Sequence, residues 1–233
     1  MFEQLAKTHA DAREDETVLR LSLDAKAAVT IGPFSRHGKT RVHLCAADPD
    51  FQPEEILTPY GIFLPQHDET YLFFTPSKVT ADFIVDCLRA FWLSVRNSFP
   101  LVKTLLLNLD NGPENHSRRT QFMPRLVALA DESGLTIDLA YYPPYHSKYN
   151  PIERVWGVLE QHWNGSLLDS RQSVLRLTST MTFHACSPFI RLVETLYRTG
   201  LPLSAQAMTT LEKRLEPLPG LDKWFVRIVP RPC

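Results

Sequence analysis

An almost unbroken apolar run, VKTLLLNLD at residues 102–110, restricts the possible folds of this chain more than any other stretch. A strand that faces water on one side alternates apolar and polar residues, whereas such a run is typical of a strand buried on both faces. A second run, LTIDLAYY at 135–142, ends at Pro143-Pro144. Helical patterns precede, separate and follow the two runs. This alternation predicts an α/β domain with a mixed sheet and helices on its faces.

Periodicity predicts the other elements. From Thr17 onwards the leucines at 19, 21 and 23 share one face of a strand, and Arg20, Ser22 and Asp24 share the other. Further strands are predicted at TRVHLCA (40–46), GIFLP (61–65) and YLFFT (71–75). Helices are predicted at 78–98, 117–133 (ended by Gly134), 150–163, 169–181, 188–199 and 204–215. The closing run WFVRIV (224–229) is either a strand or a packed tail.

These elements predict three parts of the chain. Residues 1–16 form a polar N-terminal segment, either a helix or a loosely held tail. Residues 17–166 form the α/β domain, and residues 167–233 form a helical C-terminal extension packed on it.

Composition narrows the class of protein. The chain has 233 residues, of which 44% are hydrophobic, as in ordinary globular proteins. Its four cysteines form no CxxC pair, so the sequence predicts neither a zinc site nor a disulfide framework and fits a reducing cytoplasm. No apolar run approaches the roughly 20 residues that span a membrane. The net charge of −1 supplies no positive field to attract nucleic acid, although basic residues can still line a groove beside an acidic site.

Three carboxylates stand where predicted elements end or begin. Asp24 lies on the polar face of the first strand, Asp110 ends the run 102–110, and Glu153 lies at a helix start. Strand ends beside helix starts form the functional edge of a mostly parallel sheet, so these side chains are expected to meet. Crowded carboxylates repel one another, and Mg²⁺, which prefers carboxylate and phosphate oxygens, relieves that repulsion. Two such ions about 4 Å apart can activate a nucleophile and stabilise the leaving oxygen of a phosphodiester.

Each carboxylate also has a purely structural interpretation. Asp24 can be an ordinary strand-end residue, and Asp110-Asn111-Gly112 is a common turn sequence. Glu153 can close a capping box, with Asn150 as the N-cap and Pro151 as the first helical residue, which is worth about 1 kcal/mol. The residues by themselves leave both interpretations open.

Two longer motifs carry a resemblance to a known family. LLLNLDNGPENHS (105–117) followed by AYYPPYHSKYNPIERVWG (140–157) is similar to the catalytic core of DDE transposases from bacterial insertion sequences. These enzymes form a mariner-like branch of the RNase H-like superfamily. The first aspartate, within LSLDAKAAVTIGPFSR (21–36), matches less distinctively. The resemblance covers nearly all of the chain from about residue 17.

The resemblance implies an RNase H-like fold, Mg²⁺ or Mn²⁺ as cofactor, and DNA cleavage at transposon ends followed by strand transfer. It makes Asp24, Asp110 and Glu153 the catalytic and metal-ligating residues. Family members carry an N-terminal helix-turn-helix region, and only a short acidic segment precedes the first strand here. Either an isolated catalytic domain or a 5′-truncated reading frame is therefore expected. The expected partners are transposon-end and target DNA, with a homo-oligomer or a full-length transposase, at the nucleoid in a bacterial cytoplasm.

Polar residues around the second and third carboxylates are candidates for DNA contact, because cations and aromatic rings suit phosphates and unstacked bases. The candidates are Asn111, Asn115, His116, Arg118, Arg119, Tyr145, His146, Lys148 and Arg154. Each also has an alternative as a helix cap, a surface loop residue or an ion-pair partner. Arg125 extends the same basic rim, whereas Trp156 and Trp163 are predicted to lie in the core.

Two other functions remain open from the sequence. A hydrolysis-only nuclease of the same fold would release a 3′-OH end without joining it to a target strand. A non-catalytic DNA-binding or regulatory remnant would pair with a full-length transposase. Joining of the 3′ end therefore separates a transposase from both.

Overall fold

The computed structural model describes residues 1–32, 55–110, 121–143, 149–198 and 205–231, with the backbone alone at 205–208. The helices within these residues are α1 (Phe2–Glu14), α2 (Ala81–Val95), α3 (Phe122–Ser133), α4 (Ile152–Trp163), α5 (Arg171–Ser179) and α6 (Ala205–Glu212). The strands are β1 (Val18–Ala25), β2 (Val29–Ile31), β3 (Glu55–Leu64), β4 (Glu69–Thr75), β5 (Thr104–Leu109), β6 (Thr136–Tyr141), β7 (Phe189–Leu192), β8 (Leu215–Pro217) and β9 (Phe225–Ile228). None of these helices is long and apolar enough to cross a membrane.

One mixed sheet organises the described chain. Its strand order is β7-β4-β3-β1-β5-β6-β9-β8, and β2 pairs with β3 beside this path. The central strands β1, β5 and β6 are parallel to one another, while β3 and β4 form an antiparallel pair beside β1. The predicted mixed α/β architecture is confirmed.

Strand β5 is buried on both faces, as its apolar run predicts. Leu105, Leu107 and Leu109 pack in a cluster with α2 and α3 on one side of the sheet. On the other side Leu106 packs with residues of α1 and β9. A strand enclosed in this way needs apolar side chains in both directions, which explains why the run does not alternate.

Helix α4 lies on the second side of the sheet, against β1 and β3. Its apolar stripe is buried in a cluster with residues of β2, β3, β4 and α5. The stripe consists of Ile152, Val155, Trp156, Leu159 and Trp163. The prediction that both tryptophans lie in the core is confirmed, since they are 4% and 0% exposed.

The predicted end of the helix at Gly134 is confirmed, and Thr80 caps another helix that was predicted without a cap. Helix α2 begins after Thr80, whose hydroxyl accepts a hydrogen bond from the Phe83 N–H. Helix α3 ends at Gly134, which has φ +71°, a conformation that glycine adopts without a steric penalty. The strand predicted at 40–46 lies outside the described residues.

The helix predicted at 188–199 is wrong. Phe189–Leu192 is strand β7, which pairs in parallel with β4 at an edge of the sheet. Ile190 and Leu192 pack toward the apolar cluster of α4, whereas Phe189 is 49% exposed. This alternation has the period of a strand, and backbone pairing with β4 outweighs the helical pattern read from the sequence.

Strands after residue 167 belong to the same sheet. Beyond β7, the run WFVRIV contains β9, which pairs with β6 and resolves the choice between strand and tail in favour of a strand. The segment therefore contributes strands as well as helices α5 and α6. A division into units at 166 and 167 stays a prediction.

Candidate active site

Asp24 and Asp110 lie at the carboxyl ends of two neighbouring parallel strands. β1 and β5 pair as far as Ser22 opposite Asn108, and Asp24 and Asp110 each follow two residues later in the chain. Neighbouring strands lie about 4.8 Å apart. The two aspartates therefore stand at one edge of the sheet, where the sequence predicted a functional edge.

Helix α4 brings Glu153 to this edge because its start is tied to β1. The Ile152 N–H donates to Ser22 Oγ at 3.0 Å, and Asn150 Nδ2 donates to the Leu23 carbonyl at 3.0 Å. The Ser22 hydroxyl in turn donates to Asn150 Oδ1. Ser22 and Asn150 are 0% and 1% exposed, so these bonds are shielded from water.

The capping box that the sequence allowed at this helix start does not form. Helix α4 begins at Ile152, with Pro151 in the N-cap position, and the Asn150 side chain is taken up by β1 instead of the helix. The cap is the Ser22 hydroxyl, which comes from a residue 130 positions earlier in the chain. Within the part of the chain that the structure describes, the Glu153 carboxylate makes no hydrogen bond, so it is not used as a cap.

Ser22→Ala is expected to lower the free energy of unfolding by about 1–3 kcal/mol, because it removes a helix cap and leaves the buried Asn150 carbonyl oxygen without its donor. Urea unfolding measures the change. Ser179→Ala is the matched control, since Ser179 is exposed and bonds only within α5, and its change should stay within about 0.5 kcal/mol. Equal stability of the two variants would show that the Ser22 cap is unimportant.

The three carboxylates repel one another. Burial, together with the smaller effects of the charges of Asp110 and Glu153, raises the pKa of Asp24 to about 7. Burial also raises the pKa of Glu153, and the charge of Asp110 adds to the effect. The structure thus brings all three predicted residues into one electrostatic site.

Lys26 is a residue of this site that the sequence interpretation missed. Its Nζ lies 2.8 Å from Glu160 Oε2 on α4, and its charge opposes the rise in the pKa of Glu153. In the sequence, its position two residues after Asp24 indicated that it could lie near the site.

Two further missed residues are Trp156 and Gly61. Trp156 Nε1 donates to Asp24 Oδ2 at 3.1 Å, so a residue predicted as core also contacts the site. Gly61 is the partner of Asp24 in β3. A glycine inside a strand often marks the close approach of another group. This general rule was the indication in the sequence that Gly61 could matter to the site.

The donor chemistry of the site suits a hard divalent cation. Asp24, Asp110 and Glu153 offer carboxylate oxygens, the ligands that Mg²⁺ and Mn²⁺ prefer. Their mutual repulsion is the cost that a cation would remove. Among the described residues, however, no three acidic, histidine or cysteine side chains are grouped closely enough to hold a metal ion.

Most candidate DNA contacts lie outside the described residues. These are Asn111, Asn115, His116, Arg118, Arg119, Tyr145, His146 and Lys148. Arg154 is exposed on α4, and it has no ion-pair partner in the ranges that the structure covers. Arg125 is instead engaged by acidic groups of α2, with Asp86 Oδ1 at 2.6 Å and Asp82 Oδ1 at 3.0 Å, so it is not a free member of a basic rim.

Comparison with protein families decides the identity of the chain. The family described as Rhodopirellula transposase DDE domain matches residues 1–230. The chain belongs to this transposase family. The resemblance carried by the motifs around Asp110 and Glu153 is thereby confirmed. No curated protein matches the sequence.

A solved structure of Mos1 transposase is similar in fold to this chain. The Mos1 transposase paired-end complex with left transposon end has a TM-score of 0.50 and 14% identity, over 75% of this chain and 50% of that chain. The Mos1 mariner paired end complex with Mn has a TM-score of 0.48 and 11% identity, over 74% of this chain and 50% of that chain. The first similarity confirms the predicted RNase H-like mixed sheet. The chain spans about half the length of the Mos1 chain.

Proposed function

We propose that this chain is the catalytic domain of a DDE transposase, which cleaves DNA at transposon ends and transfers the cleaved strand by phosphodiester hydrolysis and transesterification. The observation that supports this most is the electrostatic coupling of Asp24 to Asp110 and Glu153, near the ends of two central strands and the start of α4, in a member of a transposase family. Proposed partners are transposon-end and target DNA, with a homo-oligomer or a full-length transposase, at the bacterial nucleoid.

The three carboxylates would hold Mg²⁺ or Mn²⁺. Two such ions, when bound, activate the attacking oxygen and stabilise the leaving oxygen of a phosphodiester. The β1–β5 pairing, which ends two residues before each aspartate, would keep Asp24 close to Asp110, and the bonds of Ser22 and Asn150 hold the helix that carries Glu153.

Positive side chains beside the site would receive the DNA backbone. Lys26 is paired with Glu160 at 2.8 Å, whereas Arg154 is exposed on the same helix as Glu153. Arg154 can therefore contact a phosphate and offset its repulsion from the acidic edge. Arg154 and the eight candidates outside the described residues remain proposals for DNA contact.

The test is cleavage and joining of a labelled DNA duplex in Mn²⁺, followed on a denaturing gel. Shorter products report cleavage, and products longer than the substrate report strand transfer. A transposase gives both, whereas a nuclease gives shorter products only. Absence of any product that depends on the metal would overturn the proposal and favour a non-catalytic remnant.

Binding of this 233-residue chain to DNA is expected to be weak, similar for inverted-repeat and random duplexes, and lost as salt rises. A protein of net charge −1 has no long-range attraction for DNA and depends on local phosphate contacts. Such contacts give dissociation constants of roughly 10⁻⁴–10⁻⁶ M.

Mg²⁺ should strengthen this binding by offsetting repulsion between the carboxylates and phosphates. A salt titration of both duplexes, with and without Mg²⁺, measures these effects. A strong preference for one sequence at physiological salt would show that the chain contains a recognition element.

A further inference from the structure

One indole contacts the candidate site from inside the core. Trp156 is 4% exposed, and its Nε1–H donates to Asp24 Oδ2 at 3.1 Å. A buried tryptophan needs a hydrogen-bond partner for this group, and many partners would satisfy it. Here the partner is one of the three carboxylates, and the bond occupies one of its two oxygens.

Gly61 makes this contact possible. It lies opposite Asp24 in the antiparallel β1–β3 pair. A Cβ at this position would lie 2.7 and 2.8 Å from the Trp156 ring atoms Cη2 and Cζ2, and 2.5 Å from Ile152 Cδ1. Any larger residue would therefore push the start of α4 and the indole away from the sheet.

Helix α4 connects this contact to the third carboxylate. Glu153 and Trp156 are three residues apart, which places them on neighbouring positions of one helix face. The same helix therefore presents Glu153 and holds Asp24, which fixes the two carboxylates relative to each other.

We propose that Trp156 is a positioning residue for divalent-metal binding, with Gly61 as the gap in β3 that lets its indole reach Asp24. The inference rests on the proposed function, because it assumes that Asp24 is a metal ligand. The indole restricts the rotation of the Asp24 carboxylate and leaves its other oxygen for a cation. Hydrogen bonds that orient a ligand in this way typically change metal affinity 10–100-fold.

The alternative is that Trp156 only fills the core, and Trp163 provides the comparison. Trp163 lies two turns later on the same helix, is 0% exposed and packs with Phe74 at a ring distance of 6.5 Å. Trp156→Phe and Trp163→Phe therefore make the same change in the same apolar cluster, since each replaces an indole with a smaller ring that has no N–H. Only the first removes the bond to Asp24.

The experiment measures Mn²⁺ binding to the full chain without DNA, from the loss of the free Mn²⁺ electron paramagnetic resonance signal. We expect Trp156→Phe to weaken Mn²⁺ binding about 10–100-fold and Trp163→Phe to change it less than about twofold. Unchanged affinity in a folded Trp156→Phe variant would overturn the inference while leaving the proposed function intact. Absence of Mn²⁺ binding by the wild-type chain would overturn both.

A second measurement does not depend on the folding of the Trp156 variant. The chain has four tryptophans, so a ¹⁵N-labelled wild-type sample gives four indole N–H resonances. We expect one of them to shift on addition of Mg²⁺. Phenylalanine variants of Trp92, Trp163 and Trp224 assign the resonances by elimination. A Trp156 resonance that stays in place while Mg²⁺ binds would overturn the inference.

Gly61→Ala tests the same contact from the side of the sheet. The added methyl group displaces the indole, so Mn²⁺ affinity should fall as it does in Trp156→Phe. The double variant with both Gly61→Ala and Trp156→Phe should be destabilised by less than the sum of the two single variants, because the phenylalanine ring leaves room for the added methyl group. Denaturant unfolding measures the three changes. Wild-type Mn²⁺ affinity in Gly61→Ala would count against the proposed arrangement.

Discussion

Glu153→Gln is expected to leave the protein folded and to reduce metal-dependent DNA cleavage by at least about 100-fold. Glutamine has nearly the shape of glutamate but lacks the charge that holds a divalent cation, whose contribution is worth several kcal/mol. The fold should survive because the cap of α4 is the Ser22 hydroxyl, and the Glu153 side chain is not needed for it. Nicking of a supercoiled plasmid in Mn²⁺, with a denaturant melt of the same sample, measures both quantities.

Glu194→Gln is the matched control for this experiment. Glu194 is a glutamate whose side chain is 72% exposed and pairs with Arg171 at 3.2 Å, away from the candidate site. Its replacement should leave cleavage within about threefold of the wild-type rate. Undiminished nicking by a folded Glu153→Gln variant would show that Glu153 takes no part in the reaction.

Asp24→Asn is expected to stabilise the metal-free protein at pH 8 by about 2–4 kcal/mol and to abolish its stabilisation by Mg²⁺. The folded protein retains the Asp24 proton up to a pKa of about 7, whereas the unfolded chain releases it near the ordinary value of 3.8. Between pH 3.8 and about pH 7 a rise in pH therefore favours the unfolded chain, by about 1.4 kcal/mol per pH unit. The raised pKa of Glu153 acts in the same direction.

Urea unfolding in a chelator at several pH values between 4 and 8 tests this expectation. The advantage of the asparagine variant should be smallest at pH 4, should grow until about pH 7 and should then level off. Asp222→Asn, at an exposed position, is the control and should show no such trend. A constant difference between Asp24→Asn and wild type at all pH values would contradict the electrostatic cost assigned to the site.

Local sequence was sufficient to predict β5, its terminal aspartate and the helix that carries Glu153. These features depend on apolar runs, on prolines and glycines, and on neighbouring residues in the chain. The Ser22 cap, the Trp156 bond and the Gly61 gap were not predictable, because they join β1 or β3 to α4 across 91 to 132 residues. Such contacts depend on strand register, which periodicity does not specify.

Strand β7 shows the other reason for a wrong prediction. Four residues are too few for a period of two to be distinguished from a helical pattern. What decides the structure there is the unpaired backbone of β4 next to it. Eight of the nine candidate DNA contacts lie outside the described residues, so they are predicted from the motifs alone. Arg154 is the ninth, and the structure shows it as exposed.

The strand order also has a consequence for synthesis on the ribosome. β4 and β6 are made early, but their outer neighbours β7 and β9 come from residues 189–192 and 225–228. Until those residues have emerged, both strands present unpaired backbone groups along apolar sequence, which invites pairing with other chains. Pairing of β4 and β6 on their outer sides, and with it protection from aggregation, therefore waits for translation of residues 225–228.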